Sequence, residues 1–304
     1  MTTFTHSAGS PMPNLFIVGA AKSGTTSLHV TLDEHPDVYM SRFKEPHFFS
    51  RPVVEARHAA HFRQVTAEDT YRGLFVDGAG AAIVGESSTS YLWEAGACAR
   101  LAECCPSAKI VICLRDPVER AFSHYLDNVR DGLERRPFTE ALTDEQLHGA
   151  DWFTGYVDVG RYAGQVQRYV DAFGPSVLIL YFERLVGAPE AELRRLITFL
   201  NLDPNRMPGW ELASANRHAA PRNALSARIL ESGLVRSAAS IVPSAVRAQA
   251  YSRLTRPRAR PDMPADARMW LMEQYADEVR RLEALTNAAP PWRWDSSANV
   301  AVSA

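Results

Sequence analysis

Lysine is almost missing from this sequence. Of its 33 basic residues only Lys22, Lys44 and Lys109 are lysines, and the rest are arginines. Such a skew reflects codon usage before chemistry, yet it makes the position of each lysine informative. An excess of charge is missing too: the formal net charge is −2, which excludes a global electrostatic pull toward nucleic acid. The four cysteines, Cys98, Cys104, Cys105 and Cys113, form no C-x-x-C pair and no zinc-finger spacing with histidine. Free thiols in a reducing, cytoplasmic setting are expected. No apolar run approaches the about 18 residues of a membrane span. Residues 1–13 carry neither a basic nor an apolar leader region, so the reading there is a disordered segment, not a signal peptide. Internal repeats are absent as well.

What remains is a chain of 304 residues, 46 % hydrophobic, able to bury one large core. Its short apolar runs are NLFIVG (14–19), AIVGE (82–86), KIVICL (109–114) and VLILYF (177–182). Their length and β-branching suit buried strands. Helical stretches separate them: Thr25 to Glu34, Thr66 to Val76, Gly96 to Cys105 and Pro117 to Arg130. Alternating strands and helices predict an α/β fold, a P-loop-type parallel sheet of about four to five strands flanked by helices on both faces. After Phe182 the pattern turns helical, with Pro189 to Leu200, two pieces between Ala224 and Leu254, and Ala265 to Leu285, giving a helical C-terminal cap. The expected organisation is one domain over 14–285 and a C-terminal tail over 286–304, from which Trp292 and Trp294 dock on the body. Within the domain, 212–260 carries nine arginines against one acid. That segment is either a solvated helical cap, a basic lid over an anionic ligand, or a surface making peripheral membrane contact.

Gly19-Ala-Ala-Lys22-Ser23-Gly24-Thr25-Thr26-Ser27 follows the first strand and opens a helix. Its two glycines let successive N–H groups point into one concavity, and the helix adds its positive end. This is a phosphate site by construction. A nucleotide triphosphatase would place lysine directly after the second glycine, where this chain has Thr25. The cation, Lys22, has moved inside the loop. No acidic metal ligand ends a neighbouring strand except Asp116, which helix capping explains, with Pro117 at the first helical position and Glu119 at capping-box spacing. Phosphate binding without a metal is expected.

Two further groups complete the set. Arg115 ends the strand KIVICL and Ser123 sits two helical turns later, an arginine fork and a hydroxyl suited to a second phosphate. Lys44-Glu45-Pro46-His47 gathers a cation, a carboxylate and an imidazole, of which Glu45 or His47 can accept a proton from an attacking hydroxyl.

Taken together, AAKSGTTSL, KEPHFF, RDPVERAFSHY and GRY with a late P-R resemble the PAPS-dependent sulfotransferases, PAPS being 3′-phosphoadenosine 5′-phosphosulfate. The resemblance runs from about Asn14 to Leu200 and is nearest the bacterial and heparan-sulfate-modifying branch. It implies that Lys22, Ser23, Gly24, Thr25, Thr26 and Ser27 cradle the 5′-phosphosulfate, with Lys22 at the bridging oxygen. Arg115 and Ser123 would hold the 3′-phosphate, Glu45 would be the catalytic base with His47 orienting it, and Arg222 would close over the nucleotide. Tyr162 matches a position near the adenosine or the core. Where heparan-sulfate enzymes carry a lysine soon after the second strand, this chain has Ser87, and no cysteine follows Cys113. PAPS would be the sulfuryl donor, released as adenosine 3′,5′-bisphosphate (PAP).

The alternatives are a P-loop nucleotide kinase, disfavoured by Thr25, and a non-catalytic nucleotide-binding module, disfavoured by Glu45 and His47. The acceptor reads equally as a small molecule, a glycan or a lipid, sulfated on oxygen or nitrogen. Residues 51–72, 130–159 and 212–260 are expected to line its pocket. Oligomeric state is not readable.

Overall fold

The computed structural model describes residues 12–213, 219–221, 255–257, 260–292 and 294, apart from 53 and 57. By its internal contacts the chain divides into two units, Met1–Ala213 with Met263–Ala304, and Ser214–Asp262.

The first unit holds a five-stranded parallel sheet: β1 (Leu15–Gly19), β2 (Val38–Met40), β3 (Ile83–Ser87), β4 (Lys109–Leu114) and β5 (Val177–Tyr181), in the order β2-β3-β1-β4-β5. All four predicted strands begin and end within one residue of their runs. Strand β2 was not among them, because three residues are too few to show a period.

Every residue of β1 is buried because both faces of the sheet are covered. Phe16 and Val18 face one side with Ile110, Ile112 and Leu114, under α4 (Ala95–Cys104), α7 (Tyr162–Phe173) and Leu282 of α10 (Ala265–Thr286). Leu15 and Ile17 face the other side with Val111 and Cys113, under α1 (Thr25–Asp33) and α9 (Pro189–Phe199). Truncating any one of these buried aliphatics to alanine costs about 2–5 kcal/mol.

Helices α2 (Glu68–Gly73) and α3 (Ser90–Trp93) precede α4. Helices α5 (Pro117–Arg130) and α6 (Phe138–His148) form a third apolar cluster with α10, and α8 (Phe182–Gly187) follows β5 directly. At the start of α5, Asp116 caps as expected, its Oδ1 accepting from the Val118 amide at 2.9 Å. The Glu119 amide donates to the Asp116 carboxylate, but the return half of the capping box is replaced. Glu183 takes the Asp116 amide at 2.9 Å, and Glu119 pairs with Arg268 of α10 at 2.5 Å. On α5 the apolar Val129 is exposed, while Arg120 is fully buried.

In the second unit Ala219–Pro221 (β6) and Thr255–Pro257 (β7) pair antiparallel. The helical pieces expected between Ala224 and Leu254 lie outside the described residues, as does Arg222.

The chain reverses its direction of winding around β1, whose sheet neighbours are β3 and β4. Ligands of open α/β sheets bind at such a switch point, beyond the carboxyl ends of the strands. The segments after β1, β2, β3 and β4 all leave from that edge, and they carry the residues singled out above.

Candidate active site

The phosphate loop runs from Gly19 to Gly24. Lys22 and Gly24 both take the left-handed backbone, φ 67° and 82°. A side chain at Gly24 would press on Phe182, whose ring lies 2.7 Å from the Cβ position. The loop is pinned from β4, where the Cys113 carbonyl accepts from the Ala20 amide at 2.7 Å and the Cys113 thiol donates to the Ser23 carbonyl at 2.7 Å. Thr25, Thr26 and Ser27 form the first turn of α1. That helix has no side-chain cap and no acid in its first turn, so its positive end is left for an anion from outside.

Lys22 reaches across to α5, where its ammonium meets Asp127 Oδ2 at 2.7 Å. Burial pulls its pKa below the usual lysine value, with Asp127 opposing. Ser123 is buried one turn before Asp127 on the same face of α5. Arg115 donates to the Lys22 carbonyl at 3.1 Å, and its guanidinium lies over the Phe182 ring at 4.9 Å. The two candidate phosphate anchors thus share a hydrogen bond and a common floor. Tyr162 is a core residue whose hydroxyl donates to the Arg115 carbonyl at 3.0 Å.

Glu45 and His47 also take positive φ, 65° and 52°. Beyond these two and Lys22, only asparagines do so among the described non-glycine residues, and asparagine tolerates it. Among the described residues, left-handed backbone outside glycine and asparagine is therefore confined to three of the candidate site residues. Glu45 Oε2 accepts from the Thr89 amide at 2.7 Å and its hydroxyl at 3.1 Å. Its other oxygen meets the Lys44 ammonium. Burial raises the Glu45 pKa, but Lys44, His47 and the Thr89 amide outweigh it, leaving the carboxyl below its ordinary range. The imidazole of His47 lies 3.6 Å from Glu45 Oε2 through Nε2, and its Nδ1 is 2.7 Å from Ser90 Oγ. Burial lowers the His47 pKa, Glu45 opposing and Lys44 adding, so the ring is neutral at pH 7.

Thr89 joins the two halves. Its amide and hydroxyl hold the carboxylate, while its carbonyl lies 3.3 Å from where a Cβ on Gly19 would stand. Glu45 is therefore held at the mouth of the phosphate loop.

Two of the segments expected around the acceptor converge on His47. Phe62 stacks on its ring at 4.6 Å and Trp152 meets it edge-on at 6.2 Å. The segments are tied by a buried bond of 2.8 Å between His58 Nδ1 and Asp151 Oδ2. Trp152 also packs against Ala21 of the phosphate loop. Ser87 is fully buried, its hydroxyl 2.8 Å from His29 Nδ1. The C-terminal indoles do dock: Trp292 donates to Glu183 at 3.0 Å and Trp294 to Asp116 at 3.1 Å, behind Arg115. Both Asp116 oxygens are thereby engaged. Among the described residues no cluster of three His, Cys, Asp or Glu side chains could hold a metal ion.

Asp127 and Thr89 escaped the sequence reading. Asp127 had a signal, since it follows Ser123 by one turn on one helix face. Thr89 had none, because its role lies in its backbone amide.

Comparison with known proteins bears on the family and the fold. A family model described as "Sulfotransferase family" matches residues 13–206. The chain belongs to the sulfotransferase family. A crystal structure of a sulfotransferase from Alicyclobacillus acidocaldarius shares 32 % identity and a TM-score of 0.69, covering 95 % of this chain and 98 % of that one. Mouse heparan sulfate glucosamine 3-O-sulfotransferase 3B1 is 31 % identical over 211 residues, 66 % of this chain and 50 % of the relative. The chain spans about half the length of the curated relatives it matches. Mouse sulfotransferase SULT7A1, complexed with PAP, has 12 % identity and a TM-score of 0.51 over 90 % of this chain and 86 % of that one, and shares the fold alone. Among the described residues no helix is long and apolar enough to cross a membrane.

Proposed function

We propose that this sulfotransferase moves a sulfuryl group from PAPS to an acceptor hydroxyl, with Glu45 as the proton acceptor. One observation carries the reading beyond nucleotide binding: Thr89 holds an ionised carboxylate at the mouth of a phosphate loop. The uncapped end of α1, with Lys22 beside it, suits the 5′-phosphosulfate, and Arg115 with Ser123 suits the 3′-phosphate.

PAPS supplies the sulfuryl group: the acceptor oxygen bonds to sulfur as the bond from sulfur to the bridging phosphate oxygen breaks, and PAP leaves. Lys22 and the loop amides meet the charge that grows on that bridging oxygen. Glu45 takes the acceptor's proton, and its lowered pKa keeps it ionised to do so. His47, bonded to Ser90, holds the carboxylate in place.

The acceptor most worth testing is a sugar hydroxyl, because the matched relatives bear names of carbohydrate-modifying enzymes. The aromatic wall of Phe62 and Trp152 beside His47 suits stacking against a ring. Ser87, turned to His29, offers no cation to a polyanionic chain. Four unpaired thiols support a reducing compartment.

The test is incubation with sulfate-labelled PAPS and an acceptor panel of glycans, lipids and phenols. Labelled product from the parent and a drop of about 10²–10⁴ in Glu45→Gln are expected. A parent that binds PAP tightly yet labels no acceptor would leave only a nucleotide-binding module.

A further inference from the structure

Glu86 is fully buried in β3, and the transfer chemistry leaves it without a task. Its carboxylate accepts three hydroxyls: Tyr71 at 2.7 Å and Tyr91 at 2.8 Å on Oε1, and Ser88 at 2.7 Å on Oε2. Two of those hydroxyls are also acceptors. Ser88 Oγ receives the His47 amide at 3.0 Å, and Tyr91 Oη receives the Phe49 amide at 3.2 Å. The first amide belongs to the left-handed turn carrying Glu45 and His47, and the second lies two residues beyond it. A hydroxyl has one proton and two lone pairs, so spending its proton on Glu86 turns its lone pairs toward the amide.

We infer that Glu86 is a positioning residue, its carboxylate orienting the Ser88 and Tyr91 hydroxyls so that they hold the strained Glu45–His47 turn in its proton-accepting shape. The inference rests on the proposed role of Glu45. Non-glycine residues in left-handed backbone persist only when their surroundings over-determine them. Here the brace consists of two amide bonds with one carboxylate behind both.

The brace needs the ionised carboxylate. A protonated Glu86 would itself donate, leaving one of three buried hydroxyl protons without an acceptor. Burial lifts Glu86 to about 7 against the pull of Ser88, Tyr71 and Tyr91, with Glu45 adding to the rise. The groups facing it are Tyr71 from α2, Tyr91 from α3, Glu45 from the loop after β2, and Cys105 at the end of α4. Both tyrosines and the cysteine are raised, while Glu45 and His47 are lowered. The brace therefore predicts a loss of activity as Glu86 takes up a proton near pH 7.

Glu86→Gln preserves the shape but places an –NH₂ donor where a hydroxyl now donates. In the purified full chain we expect kcat to fall about tenfold to a hundredfold, with the Kd for PAP within about twofold of the parent. Hydrogen exchange at the His47 and Phe49 amides should quicken, and the loss of kcat as pH falls through about 7 should vanish. Ser88→Ala, which deletes one arm of the brace, should quicken exchange at His47 more than at Phe49. Unchanged kcat and unchanged His47 exchange in Glu86→Gln would overturn the inference, as would a kcat loss matched by an equal loss of PAP affinity. If Glu86→Gln does not fold, Ser88→Ala decides alone: parent-like His47 exchange overturns the brace. The exchange readout needs no turnover, so it stands apart from the test of Glu45.

Discussion

Replacing Lys22 by methionine separates the cost of a charge from its use. The Lys22 side chain is only 20 % exposed, and burial depresses its pKa despite a carboxylate 2.7 Å away. A lysine whose pKa is lowered on folding is a cation that the folded state holds at a loss relative to water. Its pairing with Asp127 recovers part of that loss, and a pair still partly open to water, its side chains 20 % and 26 % exposed, is worth about 0–1 kcal/mol. Asp127 does not become an orphan in the variant, because its other oxygen already meets Arg130 at 2.5 Å. Stability should therefore change by no more than about 1 kcal/mol in either direction. Turnover should not be spared. Deleting one donor aimed at developing charge costs about 10²–10³ in rate, or about 2.7–4 kcal/mol of barrier. Initial rates of labelled sulfate transfer, with denaturant unfolding of the same preparations, read both halves. A rate within about twofold of the parent would refute the role given to Lys22. Destabilisation by several kcal/mol would refute the claim that the cation is held for chemistry.

Arg115→Ala should weaken binding of PAP about 10–100-fold, the value of a charge-assisted hydrogen bond, while leaving AMP nearly unaffected. Calorimetric titration with both nucleotides checks this, and an equal loss for the two would move the 3′-phosphate elsewhere. Gly24→Ala should cost about 1–3 kcal/mol in denaturant unfolding, since alanine at φ 82° is strained and its Cβ meets Phe182 at 2.7 Å. Gly80→Ala is the control: its φ is 96° but nothing lies within 4 Å, so only the backbone strain should register.

The central strands were legible because both faces of the sheet are covered. A strand in that position cannot alternate, and a continuous apolar run such as KIVICL is what it must be. The positions of Lys22 and Arg115 at the carboxyl edge of the sheet were legible for a related reason, each following a strand that hands over to a helix. The capping of α5 shows the limit. Asp116 and Pro117 act locally and read correctly, but Glu119 was free to bind any base, and α10 offered Arg268. The same limit hid the Thr89 link to Glu45 and the hydroxyls around Glu86. The Thr89–Glu45 and Tyr71–Glu86 contacts join residues 44 and 15 positions apart, and no spacing rule connects them. Strand β2 was lost to brevity, since its identity lies in its partner β3.

The docking of Trp292 and Trp294 bears on where this protein can be shortened. The recognisable family segment stops at residue 206, more than eighty positions earlier. Yet those two indoles brace Glu183 and Asp116, which together shape the corner that presents Arg115. A fragment trimmed to the recognisable segment would keep each motif and lose the buttress behind one of them. Its weakened grip on the nucleotide would then be mistaken for a property of the motif.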